Sequence, residues 1–107
     1  MAFYELRQYF VRPGKMDEWV KIMEEEIIPF QMKMGMVIVG SFVGEEDASV
    51  YVWIRRFASE EERKRLYDLV YQSDRWKNEI GPRVPTLIDR EQIKVTRLVA
   101  TPHSVIQ

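Results

Sequence analysis

The sequence predicts an α+β fold, a ferredoxin-like βαββαβ chain whose four-stranded antiparallel sheet carries two main helices on one face. Three observations predict it. Val50 to Phe57 is almost wholly β-branched or aromatic, so this strand is covered on both faces and lies centrally in a sheet. Met16, Trp19, Val20, Met23, Ile27, Phe30 and Met34 step by three and four, which draws one apolar stripe along a helix. The remaining segments fall around these two in the order of the split βαβ arrangement.

Ala2 to Val11 is the first strand, with Phe3, Glu5, Arg7, Tyr9 and Val11 on one face and Tyr4, Leu6, Gln8 and Phe10 on the other. Arg12-Pro13-Gly14 breaks it. The helix from Met16 to Met34 follows, kinked or restarted at Pro29 and capped by Gly35. Met36 to Gly44 alternates Val37, Val39, Ser41 and Val43 against Ile38, Gly40 and Phe42, and Gly40 suggests a bulge. Glu45 to Ala48 turns this strand back into the central one, where Tyr51, Trp53, Arg55 and Phe57 share a face. Ser59 to Glu62 has the spacing of a capping box, in which Ser caps the helix and Glu reaches back. Leu66, Tyr67, Val70 and Tyr71 then supply the buried stripe of the second helix. Ser73-Asp74 starts a short turn through Trp76, closed by Gly81-Pro82; Pro82 to Asp89 reads as a loop, Glu91 to Val99 as the last strand, and Ala100 to Gln107 as a tail that frays or packs on a neighbour.

Composition narrows the functional classes. At 107 residues the chain is expected to be one domain, 1–107. A net charge of −1 gives no general attraction to nucleic acid or to anionic lipid. Cysteine is absent, which excludes disulfides, thiolate catalysis and cysteine-ligated metals. No apolar run approaches a membrane span and no signal-peptide succession opens the chain, so the expectation is a cytoplasmic protein with no nucleic-acid partner and no membrane insertion. The sheet face turned away from the helices carries aromatic and aliphatic side chains, which predicts a homodimer formed through the sheet faces.

The opening Tyr4-Glu5-Leu6-Arg7-Gln8-Tyr9, the turn Pro13-Gly14-Lys15 with Trp19, the strand Gly40-Ser41-Phe42, and Tyr51-Val52-Trp53 before Phe57 together resemble the NIPSNAP family over essentially the whole chain. That resemblance implies the dimeric α+β barrel superfamily, in which two ferredoxin-like subunits close a barrel. It also implies a pocket between helices and sheet, the cavity used by cofactor-free monooxygenases, lactone isomerases and haem-degrading enzymes of similar fold. Eukaryotic members are linked to mitochondria and vesicle traffic, whereas small single-domain members carry no assigned reaction.

The residues themselves suggest binding more than chemistry. Arg7, Arg55, Arg56 and Arg97 sit in apolar strands, where a guanidinium must be paired or face a wet cavity. Pairing with Glu5 or Glu91 is the first expectation, and a bidentate clamp on the carboxylate or enolate of a small organic ligand is the second. Trp19, Trp53, Tyr67 and Trp76 would line a pocket between helices and sheet. The candidate ligand-binding residues are therefore Arg7, Tyr9, Trp19, Tyr51, Trp53, Arg55, Tyr67 and Trp76. No metal and no cofactor is expected: the only histidine, His103, lies in the tail, and a haem-degrading relative would need an axial histidine on the second helix, which has none. The leading reading is a homodimeric ligand-binding or interaction module without an assignable reaction. The alternative is a cofactor-independent monooxygenase or isomerase acting on a small aromatic or lactone-like substrate, and a membrane-traffic adaptor ranks last.

Overall fold

A computed structural model describes residues 1–107. Strands β1 (Phe3–Val11), β2 (Val37–Val43), β3 (Val50–Phe57) and β4 (Ile88–Leu98) form one sheet in the order β2-β3-β1-β4, every neighbouring pair antiparallel. β1 and β3 are central. The register sets Phe3 against Phe57, Glu5 against Arg55, Arg7 against Trp53 and Tyr9 against Tyr51. These pairs face the helices, and all but Arg7 are buried.

Helix α1 (Met16–Ile22) passes through a π-helical turn (Met23–Ile27) into α2 (Ile28–Lys33). The kink expected at Pro29 takes this form. Proline has no N–H and its ring crowds the carbonyl four residues back, so the preceding turn widens and the Ile28 N–H reaches the Met23 carbonyl. The widened turn keeps Met23 and Ile27 buried and brings Gln31, a polar residue, fully into the interior. Gly35 closes the helix at φ +110°, with Gly35 N–H donating to Met32 and Met36 N–H to Gln31, the paired bonds of a Schellman cap.

The bulge expected at Gly40 is present, between Ile38 and Gly40. It corrects the simple alternation read from sequence: the extra residue, Val39, leaves Ile38 facing Arg55 and Ser41 facing Trp53, so Ile38, Ser41 and Val43 share the helix-side face.

Helix α3 (Glu60–Tyr71) begins with Ser59 Oγ accepting from the Glu62 N–H at 3.1 Å, while the Glu62 carboxylate accepts from the Ala58 N–H, one residue before the cap. Pro82 to Asp89 is not a loop. A π-helical turn (Arg75–Ile80), a 3-10 turn (Gly81–Arg83) and α4 (Val84–Leu87) run continuously, and β4 starts at Ile88, three residues before the expected Glu91. Ile80, Val84, Leu87 and Ile88 are buried in the larger core cluster, and that burial holds the prolines of this segment in helical first turns. Arg83 forks onto Glu26 at 2.6 and 2.9 Å and ties this segment to the π-turn of the first helix.

The tail packs on its own sheet. Arg56 Nε donates to the Gln107 carbonyl at 2.8 Å on the face away from the helices, where Ala100, Thr101, Ser104 and Ile106 flank a shallow groove with Tyr4, Ile54 and Leu98. The rest of that outer face is mixed: Leu6, Phe10 and Val52 are half-buried and Val37 and Phe42 exposed, with Gln8 exposed among them and Lys94 and Thr96 beside it on β4. No helix is long and apolar enough to cross a membrane.

Candidate ligand site between sheet and helices

Helix-side residues of β1 and β3 meet the first helix on one side and the Arg75–Leu87 segment on the other, enclosing a cavity of about 580 Å³. Six of the eight candidates line it: Arg7 and Tyr9 from β1, Trp53 from β3, Trp19 from α1, Tyr67 from α3 and Trp76 from the turn beyond. The other two lie outside the lining. Tyr51 is buried beside Trp19 with its hydroxyl bonded to Ser41, an environment whose burial pushes the phenol up to about 12. Arg55 is fully buried, and Trp53, Tyr67 and Tyr71, all cavity residues, are packed against it.

Arg55 has the partner that a buried guanidinium requires. Nη2 donates to Glu5 Oε1 at 2.8 Å and to Tyr67 Oη at 2.6 Å, and Nη1 donates to Gln31 Oε1 at 2.9 Å and Tyr71 Oη at 2.8 Å. Tyr67 in turn donates to Glu5 at 2.7 Å, and Arg63 Nε binds the second carboxylate oxygen at 2.7 Å. Burial alone would push the Glu5 carboxyl up, but these donors outweigh it and hold the group below the usual carboxylate range. For Tyr67, burial raises the phenol to about 12, so it stays protonated and keeps donating. Glu5, Gln31 and the two tyrosines thus use the charge of Arg55 inside the protein.

Arg97 pairs with Glu60 at 2.8 Å, and Arg56 with a tail carbonyl. Arg7 pairs with no carboxylate. Its Nε donates to the Tyr9 hydroxyl at 2.9 Å, and both Nη groups are left without a protein partner at the cavity wall. Tyr9 Oη also accepts from Trp53 Nε1 at 2.9 Å, so two donors converge on one oxygen and its own hydrogen has no protein acceptor. Burial holds the Tyr9 phenol above its ordinary value, which keeps that hydrogen in place. The apolar wall is aromatic: Tyr71 stands edge-on to Trp76 at 4.8 Å and Tyr9 edge-on to Trp19 at 5.8 Å.

Lys77 and Arg90 also line the cavity and escaped the sequence reading, as did Tyr71 and Ile93. Arg90 and Ile93 reach it through an irregularity in β4: Gln8 pairs with Lys94 and Phe10 with Asp89, so residues 90–93 face the single residue Tyr9. Asp89 holds the bulge by accepting from the Glu91 N–H at 3.0 Å and from Gln92 at 2.7 Å. The polar run Asp89-Arg90-Glu91-Gln92 between two isoleucines was the available signal. No group of three or more His, Cys, Asp or Glu side chains is arranged to hold a metal ion.

A four-stranded antiparallel sheet with helices on one face and an aromatic cavity beneath them defines a ferredoxin-like α+β domain. The chain belongs to the NIPSNAP family, whose family model matches residues 4–102. It is similar to a NIPSNAP family protein from Agrobacterium tumefaciens, at 28% identity over 100% of both chains with a TM-score of 0.88. A second Agrobacterium tumefaciens NIPSNAP family protein, of unknown function, is 25% identical over 99% of this chain and 94% of the other, with a TM-score of 0.87. The fold is shared with an antibiotic biosynthesis monooxygenase at 16% identity, 94% and 99% coverage and a TM-score of 0.67. No curated protein matches.

Proposed function

We propose that this protein is a cytoplasmic homodimeric module that binds a small organic ligand in the cavity between sheet and helices. The observation that carries this reading is Arg7, a strand guanidinium at the wall of a cavity of about 580 Å³ with no carboxylate partner in the protein. A cavity of that volume, mostly apolar with a few convergent polar groups, has the character of a small-molecule site. Dimer formation is supported by the outer sheet face, where Leu6, Phe10, Val52, Val37 and Phe42 lie without a covering helix. Two such faces packed together bury them symmetrically.

Native mass spectrometry of the purified protein, recorded gently and then under denaturing conditions, tests both halves. A dimer releasing a co-purified small molecule is the expected result. A monomer with nothing bound overturns the reading.

A second reading is favoured by one observation, the Tyr9 hydroxyl polarised by Arg7 and Trp53 at the aromatic wall. It is a cofactor-independent monooxygenase or isomerase for a small aromatic or lactone-like compound. Incubating the recovered ligand with the protein, with and without dioxygen, separates the two. A ligand whose mass and chromatographic retention stay unchanged leaves binding as the function, and a new species formed only with active protein favours the enzyme.

A further inference from the structure

We infer that the cavity selects an anion, and that its ligand class is a flat aromatic or conjugated carboxylate held by Arg7 and Tyr9. The inference rests on the reading of the cavity as a ligand site and specifies what enters it. Three cations line the cavity, Arg7, Lys77 and Arg90, and no aspartate or glutamate does, although acids outnumber bases in the chain as a whole by 17 to 16. None of the three makes a salt bridge, while Arg55, Arg63, Arg75, Arg83 and Arg97 all do. Other lysines and arginines also go without a salt bridge, but this wall gathers three such cations around one cavity with no acid among them. An unpaired guanidinium in a partly desolvated site is costly unless an anion completes it.

The geometry narrows the anion further. Arg7 spends Nε on Tyr9, which fixes the plane of the guanidinium and leaves the two Nη groups as an end-on fork. Such a fork matches the two oxygens of a carboxylate. Tyr9 Oη, already accepting from Arg7 and Trp53, has only its hydrogen to offer, so it can donate to the same carboxylate and cannot accept from a neutral donor. Trp19, Trp53, Tyr71 and Trp76 then present aromatic faces and edges to whatever is attached to the carboxylate, which suits a planar body. Lys77 and Arg90 are exposed side chains in the lining, where they raise the local concentration of anions.

The test is calorimetric titration of the purified protein with naphthoate and with naphthamide, which share shape but differ in charge. We expect naphthoate to bind about tenfold or more tighter than the amide, a preference that shrinks as sodium chloride is raised. In Arg7→Met the ratio of the two affinities falls toward one, and in Arg7→Lys part of it returns; Tyr9→Phe lowers naphthoate affinity severalfold. Circular dichroism confirms that each variant is folded, and the ratio and its salt dependence in the unaltered protein need no variant at all. Equal binding of the two probes overturns the inference while leaving a ligand cavity, as does an unchanged ratio in a folded Arg7→Met. Failure of both probes to bind at millimolar concentration overturns the inference and the cavity reading together.

Discussion

Glu5 and Arg55 stand directly opposite one another on the two central strands, their side chains 2.8 Å apart and each at most 1% exposed. An ion pair so placed has given up its hydration, and breaking it leaves a charge stranded in the interior. We expect Glu5→Leu to lose about 3–5 kcal/mol of stability in urea unfolding, against a small loss for the double variant Glu5→Leu/Arg55→Met. A single variant no worse than a surface substitution would remove the pair from the account of stability.

Acid should act through the same carboxylate. The donors around Glu5 hold its folded value below the ordinary 4.5, so the stability it contributes is complete above about pH 4.5 and is lost as pH falls through the lower folded value. Unfolding free energy measured down from neutrality should drop below that point more steeply in the unaltered protein than in Glu5→Gln, which has nothing there to protonate. Parallel acid limbs would assign the drop to other groups.

The helix cap at Gly35 separates backbone strain from packing. Its φ of +110° disfavours any side chain, and an added Cβ would also lie 3.2 Å from Leu66 Cδ2 in the core. Gly14 at φ +74° has open space around it. Gly14→Ala should cost about 1 kcal/mol and Gly35→Ala more, in thermal unfolding of both. The reverse order would mean that Leu66 moves aside without loss.

Ser59 is a simpler case. Its hydroxyl satisfies the Glu62 N–H, so Ser59→Ala should destabilise by about 1 kcal/mol, and Ser59→Asp, which restores the acceptor beside a helix N-terminus, should recover most of it.

The proposed dimer is tested at Val52, half-buried in the middle of the outer sheet face. Val52→Arg should shift sedimentation from dimer to monomer with the far-ultraviolet spectrum unchanged, because packing two such faces together would bury its guanidinium without a partner. Persistence of the dimer would move the interface off this face.

Much of the fold was legible because its signals are local. The Ser59 cap, the Gly35 stop, the bulge at Gly40 and the two-faced pattern of Val50 to Phe57 each depend on residues a few positions apart, within reach of backbone sterics and side-chain period. Pro82 to Asp89 was misread for a related reason: its prolines argue locally against a helix, and only the burial of Ile80, Val84, Leu87 and Ile88 against strands and helix far away in sequence outweighs them.

The site divides along the same line. Strand-borne arginines and clustered aromatics suggest a pocket from sequence, and six of the eight residues so named line one cavity. Which arginine is free was not readable there. Glu5 shares a strand and a face with Arg7, yet antiparallel register sets Glu5 against Arg55 and sets Arg7 between Trp53 and Val95. The four residues of the β4 bulge that face Tyr9 bring in Arg90 by the same kind of decision. The sequence by itself determined which residues carry charge into the sheet and which of them share a face within one regular strand, since side-chain period is a property of one strand, but not which face meets the helices. Only the tertiary structure decided which of those charges meet, because register between strands is settled by the packing of both against the same helices.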